Sequence, residues 1–422
     1  TGNIIHELHS TGSIMAAYLA QPATQVSAYR PIKFKYESGS TTDLIEKLIV
    51  SVYNDETSTL IATYRKDWTS RTGSDPNYNY ICEFDISGLV QSLLAPLPSS
   101  KSQALPAPDA LNDYADDASL WVYVSCQWEK RNDDNLLEAI GTAEDSDVVY
   151  AFNLVQQHDE AQSLSEYVGT GARKVLHDPP AEGFDVRVTD SFFLSCILNQ
   201  DIARARFAVL HGDGTTTNHN IPLSFASAAA NHDKKVVSVN VGPYAANSFF
   251  SIAESDVSYT VFLADGSNTP LTETLTFNIL PRCAGRDLRL HWMNERGGFD
   301  AYTFDGIKRR TAEVKSGSGE KPLVWVAGAA TPHDRNQRGK YRTDVRRADV
   351  WEVETRIIDE DKAEWLAGLL ASPEVYVEQV GLDYYLPAMV IDGKITYADT
   401  EQVGAILKMA ITLANEKFTP RN

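Results

Sequence analysis

Four residues types-wise suited to chemistry, His291, Asn294, Glu295 and Asp300, lie within one short stretch of the chain. A turn that gathered them would hold a base, an amide and carboxylic acids together, as general acid–base catalysis requires. The same polar types also satisfy the backbone of a tight turn, so a shape-holding role is the competing expectation. Elsewhere the sequence has no HExxH, no GxSxG and no Walker loop. Of nine histidines, His6 and His9 alone stand at ligand spacing. No catalytic residue, metal ligand or cofactor-binding residue is therefore assigned. A glycosidase would need two carboxylates held about 5 to 10 Å apart, and no such pair stands out. Tyr384 and Tyr385 are suited to stacking on a sugar, but paired tyrosines beside Pro387 in a strand more often belong to a core or an interface.

The elements that must position these residues are two alternating segments around Gly297-Gly298. Leu288, Leu290 and Trp292 share one strand face, and Asp300, Tyr302 and Phe304 share one face of the next. The pattern predicts an aromatic β-hairpin over Leu288–Phe304. β-rich sequence precedes it, and a basic stretch, a strand and a helix follow, so the hairpin reads as a joint between two halves. Its structural residues are Trp292, Gly297, Gly298, Phe299 and Tyr302, joined further on by Trp365, Leu369 and Tyr385.

At 422 residues the chain exceeds one ordinary core. With 43% apolar and 23% charged residues it has the balance of a soluble globular protein. No run approaches the roughly 18 apolar residues of a spanning helix, and Thr1 to Ser13 lacks the pattern of a signal peptide. The net charge of −19 opposes general nucleic-acid binding. Cys82, Cys126, Cys196 and Cys283 form no CxxC pair and sit in apolar segments, which predicts buried free thiols and a reducing compartment.

Three domains are expected. Residues 1–176 form an N-terminal β-rich domain, in which Ile32, Phe34 and Tyr36 alternate with lysines and Leu48–Tyr53 and Leu60–Tyr64 make a meander. Within it, 96–117 is rich in Pro, Ala and Asp and reads as an exposed excursion, because Trp121–Trp128 resumes strand alternation afterwards. Residues 177–284, begun by His177-Asp178-Pro179-Pro180, carry short strands separated by turns and predict a β-sandwich. Residues 285–422 hold the hairpin, a basic loop over 305–349, and a strand, a helix and antiparallel strands. Asp359 caps that helix, Glu360 and Asp361 face its positive end, Leu366, Leu369 and Leu370 make its stripe, and Ser372-Pro373 stops it. Asp392-Gly393 is read as a turn between the last strands. The fold class is mainly β, with two β-sandwich-like domains and a C-terminal α+β domain in which one helix packs on a sheet.

Certain runs resemble a group of tail proteins of phages and prophages from the Bacteroidota. They are Tyr29-Arg30-Pro31-Ile32, Phe84-Asp85-Ile86-Ser87 and the hairpin Trp292-Met293-Asn294-Glu295-Arg296-Gly297-Gly298-Phe299-Asp300, where Met293 replaces the group's usual Leu. A further run is Trp365-Leu366-x-x-Leu369-Leu370-x-Ser372-Pro373-x-Val375. The C-terminal element order is also similar to the tail-tube-like fold of distal tail and baseplate hub proteins. The resemblance implies a non-enzymatic structural protein of a tail tip or baseplate, made in the host cytoplasm and located in the virion. It implies a homo-oligomeric ring, hexameric or trimeric, that joins the tail tube to peripheral proteins. Partners would be further copies, other tail or baseplate proteins and DNA passing the channel without specific binding, with no membrane. Chains would meet through edge strands and the 305–349 segment. A carbohydrate-binding or adhesin-like surface protein is the alternative, and a glycoside hydrolase the third reading.

Overall fold

The computed structural model describes residues 17–41, 43–75, 77–94, 112–115, 119–132, 134–155, 164–168, 171–197, 202–223, 235–281, 288–304, 307–320, 340–378, 385–397, 404–414 and 417–418. Over these residues the protein is mainly β, in several largely antiparallel sheets.

The N-terminal part contributes β1 (Ala17–Ala20), β2 (Gln25–Ser27), β3 (Lys33–Thr41), β4 (Ile45–Asn54), β5 (Thr59–Asp67), β6 (Ser70–Ser74) and β7 (Asn77–Asp85). After α1 (Ser87–Leu93) come β8 (Asn112–Ala115), β9 (Ser119–Arg131), β10 (Leu137–Asp145) and β11 (Val149–Phe152). One sheet runs β1-β3-β7-β6 and the other β2-β11-β9-β4-β5, with β10 also on β9. Between them Phe34 and Tyr36 from β3 meet Leu48, Val50 and Val52 from β4 and Trp128 from β9. The alternation with Lys33 and Lys35 makes this possible, since every second side chain of a strand points to the core. Tyr36 stacks on Trp128 with ring centroids 5.8 Å apart.

The middle part contributes β12 (Phe184–Val186), β13 (Phe193–Ile197), β14 (Arg204–Leu210), β15 (Thr216–Pro222), β16 (Val236–Asn240), α2 (Pro243–Ala246), β17 (Ser258–Ala264) and β18 (Leu275–Ile279). Its sheets run β12-β18-β17-β14-β15 and β13-β16-β8, enclosing a core that includes Phe184, Phe192, Phe207, Tyr259 and Phe277. One strand comes from elsewhere. β8 lies inside the Pro-, Ala- and Asp-rich segment expected to be an excursion, yet it pairs with β16, Val236 opposite Ala115. Prolines bar that segment from a sheet interior, and β8 takes an edge.

The C-terminal part contributes β19 (Leu288–Met293), β20 (Phe299–Phe304), β21 (Ile307–Glu320), β22 (Lys340–Glu354), α3 (Glu360–Ala371), β23 (Val375–Glu378), β24 (Tyr385–Tyr397), β25 (Ala405–Leu413) and β26 (Lys417–Phe418). The sheet order is β20-β19-β23-β24-β25-β22-β21. α3 begins as its sequence dictates, with the Asp359 carboxylate accepting from the Lys362 backbone N–H at 2.7 Å. Leu366 and Leu369 are buried against Trp292, Val377, Leu407 and Ile411.

Two expectations for this part are corrected. The described residues of the basic 305–349 segment are not loop but the long strands β21 and β22, paired from Ile307 opposite Val353 to Glu320 opposite Lys340. A ribbon wet on both faces carries no period-2 apolar signal, so its strands were hidden from alternation. Asp392-Gly393 is not a turn either. β24 runs through it, with an irregularity between Val390 and Asp392, and pairs with β25 as far as Tyr397 opposite Ala405.

Candidate functional site

The hairpin β19–β20 has both faces covered. Leu288, Leu290 and Trp292, with Tyr302 and Phe304, face α3 and the C-terminal core. Arg289, His291 and Thr303 face the middle domain and are 1%, 0% and 9% exposed. The four residues first singled out are consequently not gathered. Trp292 pairs across the hairpin with Asp300, whereas His291 pairs with Ala301 and points to the other side.

His291 belongs to a buried ionic cluster spanning both domains. Its Nε2 lies 2.7 Å from Glu378 Oε2, and Arg289 Nε lies 3.2 Å from the same oxygen. Arg289 also donates to Asp190 Oδ2 at 2.9 Å, to Thr303 Oγ at 2.8 Å and to the Ser191 carbonyl through Nη2 at 2.6 Å. Ser191 Oγ donates to Glu378 Oε1 at 2.6 Å. Burial pulls the His291 imidazole below its ordinary range, outweighing the support of Glu378. Burial also raises the Glu378 carboxyl, but the hydrogen bonds from His291 and Ser191 and the charge of Arg289 prevail and hold it low. Both directions have the same sign in stability. The unfolded chain takes up protons first, so stability declines as pH falls below about 6.5 and again through the carboxylate range. His291→Gln should keep a donor toward Glu378 and shrink the loss of thermal stability between about pH 7.5 and 5.5. An unchanged pH profile would exclude His291 as its source.

Asp300 lies on the other face, 1% exposed, between two domains. It accepts from His177 Nδ1 at 2.6 Å and from Trp365 Nε1 at 2.8 Å. His177 Nε2 in turn accepts from the Ser195 backbone N–H at 2.9 Å. The arrangement superficially parallels an Asp–His–Ser triad, but the Ser195 hydroxyl faces Ser238 Oγ at 3.0 Å and the imidazole meets the amide instead. A base whose lone pair is taken by a backbone donor cannot receive a hydroxyl proton. His177 orients Asp300, and Asp300 fixes the indole of Trp365.

The turn is shaped by Asn294. Its Oδ1 accepts from the N–H groups of Arg296 and Gly298 at 2.9 and 3.1 Å, and its Nδ2 donates to the Leu176 carbonyl at 3.0 Å. Gly297 has φ +79°, and a Cβ there would collide with the Asn153 carbonyl. A Cβ on Gly298 would collide with the Leu176 carbonyl. Gly297→Ala should therefore cost about 2 kcal/mol or more, seen as an earlier thermal transition. An unshifted transition would show that the turn can yield.

Beside this turn a cleft of about 520 Å³ opens between the middle domain, the hairpin and α3. Asp178, Glu295, Asp361 and Glu364 are exposed on its wall, and Trp292, Asp300, Trp365 and Gly368 also line it. Arg296 is its one lining cation. Trp292 is 0% exposed and its Nε1 has no hydrogen-bond partner. A Cβ built on Gly368 meets only that Nε1, at 3.6 Å. Trp292 and Gly368 both line the cleft, so this donor lies just beneath its wall. Among the described residues, no group of His, Cys, Asp and Glu is arranged to hold a metal.

No protein-family model matches the chain, and no curated protein matches it. Among solved structures, the crystal structure of the periplasmic chaperone SfaE is similar at 10% identity and a TM-score of 0.15, covering 63% of this chain and 99% of that one. A TM-score of that size says nothing about a shared fold or activity.

The other residues singled out from sequence are placed as follows. Phe299 is buried with Phe193, Tyr376 and Tyr385. Tyr385, 4% exposed and edge-on to His291, has no face available to a sugar and takes the core place that a tyrosine pair beside Pro387 favours. Tyr384, His6, His9 and Cys283 lie outside the described residues. Cys82, Cys126 and Cys196 are buried free thiols, and burial pushes them up to about 11, about 12 and about 12. Among the described residues, no helix is long and apolar enough to cross a membrane. Sequence reasoning missed His177, Arg289, Asp190, Ser191 and Glu378. The one signal for Asp300 was an acid on the same strand face as Tyr302 and Phe304, which demands a buried partner.

Proposed function

We propose that the protein is a non-enzymatic structural component that associates with further copies of itself, in keeping with a phage tail tip or baseplate ring of six or three chains. The observation that carries this reading is the β21–β22 ribbon. β25 pairs with β22 only over Val350–Glu354, so Lys340–Asp349 continues about ten residues past the sheet body with β21, and with β26 at Arg346 and Arg347. At roughly 3.3 Å per residue that is an arm of about 30 Å. A two-stranded ribbon is marginal alone in water. An arm of this length gains its support from a surface beyond its own chain. β21 is also an edge strand, the kind of element through which sheets join.

The polar chemistry of the joint supports a role without catalysis. His177, Asp300 and Glu378 are buried and spend their hydrogen bonds on protein groups, and the buried His291 binds Glu378 through Nε2 while its Nδ1 meets no partner among the described residues. The ring would join tail tube to peripheral proteins and sit in the virion. Light scattering over a range of protein concentrations, with mass spectrometry of purified particles, tests this. A defined oligomer and its presence in particles are expected. A monomer at every concentration together with absence from particles would overturn it.

A further inference from the structure

On the basis of that self-associating reading, we infer that the acidic cleft is the seat for the basic β21–β22 ribbon of a second copy of the chain. The first observation is charge. The exposed wall residues Asp178, Glu295, Asp361 and Glu364 concentrate negative charge around one opening. Over 307–320 and 340–349 the ribbon holds eight Lys and Arg against four Asp and Glu, in a chain of net charge −19. Lys340, Arg342 and Arg309 are exposed on it. Apposed potentials of opposite sign steer and align two surfaces.

The second observation is independent of charge. The Trp292 indole N–H is buried just beneath the cleft wall and has no acceptor among the described residues. A buried donor without a partner costs about 1 to 3 kcal/mol, so an occupant that supplies an oxygen relieves a standing cost. A bare cation would answer the carboxylates but not this donor. A polypeptide strand answers both, with Lys or Arg side chains at the rim and a backbone carbonyl at the floor. A saccharide would supply the oxygen but no positive charge, and the Trp292 ring is too buried to serve as its platform.

The third observation is geometry. In the C-terminal sheet, β22 runs toward the end where the Asn294–Gly298 turn lies, because Glu354 pairs with Lys408 and Val350 with Thr412, while Leu413 pairs with Ala388 and Ala388 with Val375, next to Trp292. The Glu320/Lys340 end of the ribbon therefore projects from the opposite end of the sheet to the cleft. Two unlike patches at opposite ends make a head-to-tail contact, which closes into a ring or propagates.

Sedimentation equilibrium of the full-length chain tests this with three variants. Arg342→Glu and Glu364→Lys should each raise the dissociation constant about tenfold or more, and their combination should recover much of the loss. Gly368→Ala puts a methyl group over Nε1 inside the cleft. It should weaken association while leaving the thermal transition unchanged or higher, since Ala is favoured over Gly within a helix. If the parent associates and only Arg342→Glu weakens it, or none does, the cleft is not the seat and self-association stands by another surface. If the parent is monomeric throughout, both readings fall. If titration with chitohexaose or maltohexaose quenches tryptophan fluorescence in the parent but not in Gly368→Ala, the cleft is a glycan site and the ribbon assignment is wrong.

Discussion

Arg289→Met is expected to lower the resistance of the protein to guanidinium by about 3 to 5 kcal/mol, followed by tryptophan fluorescence. The side chain is 1% exposed and lies within hydrogen-bond or ion-pair distance of Asp190, Ser191, Thr303 and Glu378. Methionine restores most of the volume and none of the charge. Asp190 and Glu378 would then be buried together without a strong cation, and His291, whose imidazole burial keeps in its neutral range, cannot replace it without being charged in turn. The size of the loss reflects stranded carboxylates rather than the worth of the ion pair. A variant that also carries Asp190→Asn and Glu378→Gln should for that reason lose less than the single substitution, because no uncompensated charge remains. A single-variant loss below about 1 kcal/mol, or a triple variant worse than the single one, would show that the cluster is hydrated or that its members act independently. The cluster ties β19 and β23 to the segment before β13, so its loss should also loosen the middle domain against the C-terminal sheet.

What the sequence reveals here depends on how local the cause is. α3 is legible because its cap, its acidic first turn and its Leu366/Leu369 stripe lie within one segment and obey one period. β3 and β4 are legible for the same reason, an alternation matched to a half-buried sheet. The Leu288–Phe304 hairpin is legible as a hairpin, but not in the depth of its burial. Arg289 and His291 alternate with apolar residues as solvent-facing polar residues do, and what makes them internal is the middle domain, whose Asp190 lies 99 residues away in sequence. His177 and Asp300 are separated by 123 residues, so spacing around the turn grouped Asp300 with His291 although they sit on opposite faces. The ribbon fails in the other direction. Its composition reads as a loop, and only pairing with β25 and with itself makes it sheet. The cleft was invisible because it is assembled from 178–181, the hairpin turn and α3, none of which carries a binding motif of its own.

Trp292→Ala is expected to cost about 3 to 5 kcal/mol, the range for removing a buried tryptophan. Trp292 is fully buried between the hairpin, Trp365 and α3, with its ring centroid 4.9 Å from that of Trp365. Removing it also takes away one wall around Trp365, which keeps its 2.8 Å bond to Asp300 and its contacts with Phe184 and Tyr302. Trp292→Ala alone cannot tell a folding role from a docking role, because both would be lost together. Trp292→Phe separates them. The indole N–H has no partner among the described residues, so deleting it strands no acceptor there, and only the change of ring size weighs on stability, about 1.5 kcal/mol or less. If the cleft receives a strand from a second copy, the same substitution removes the donor that the strand's carbonyl would meet. Self-association should then weaken about tenfold while the thermal transition moves little, a loss matching one hydrogen bond at a buried contact. A Phe variant that folds and associates as the parent does would confine Trp292 to the core, and leave its orphaned N–H as a cost of packing alone.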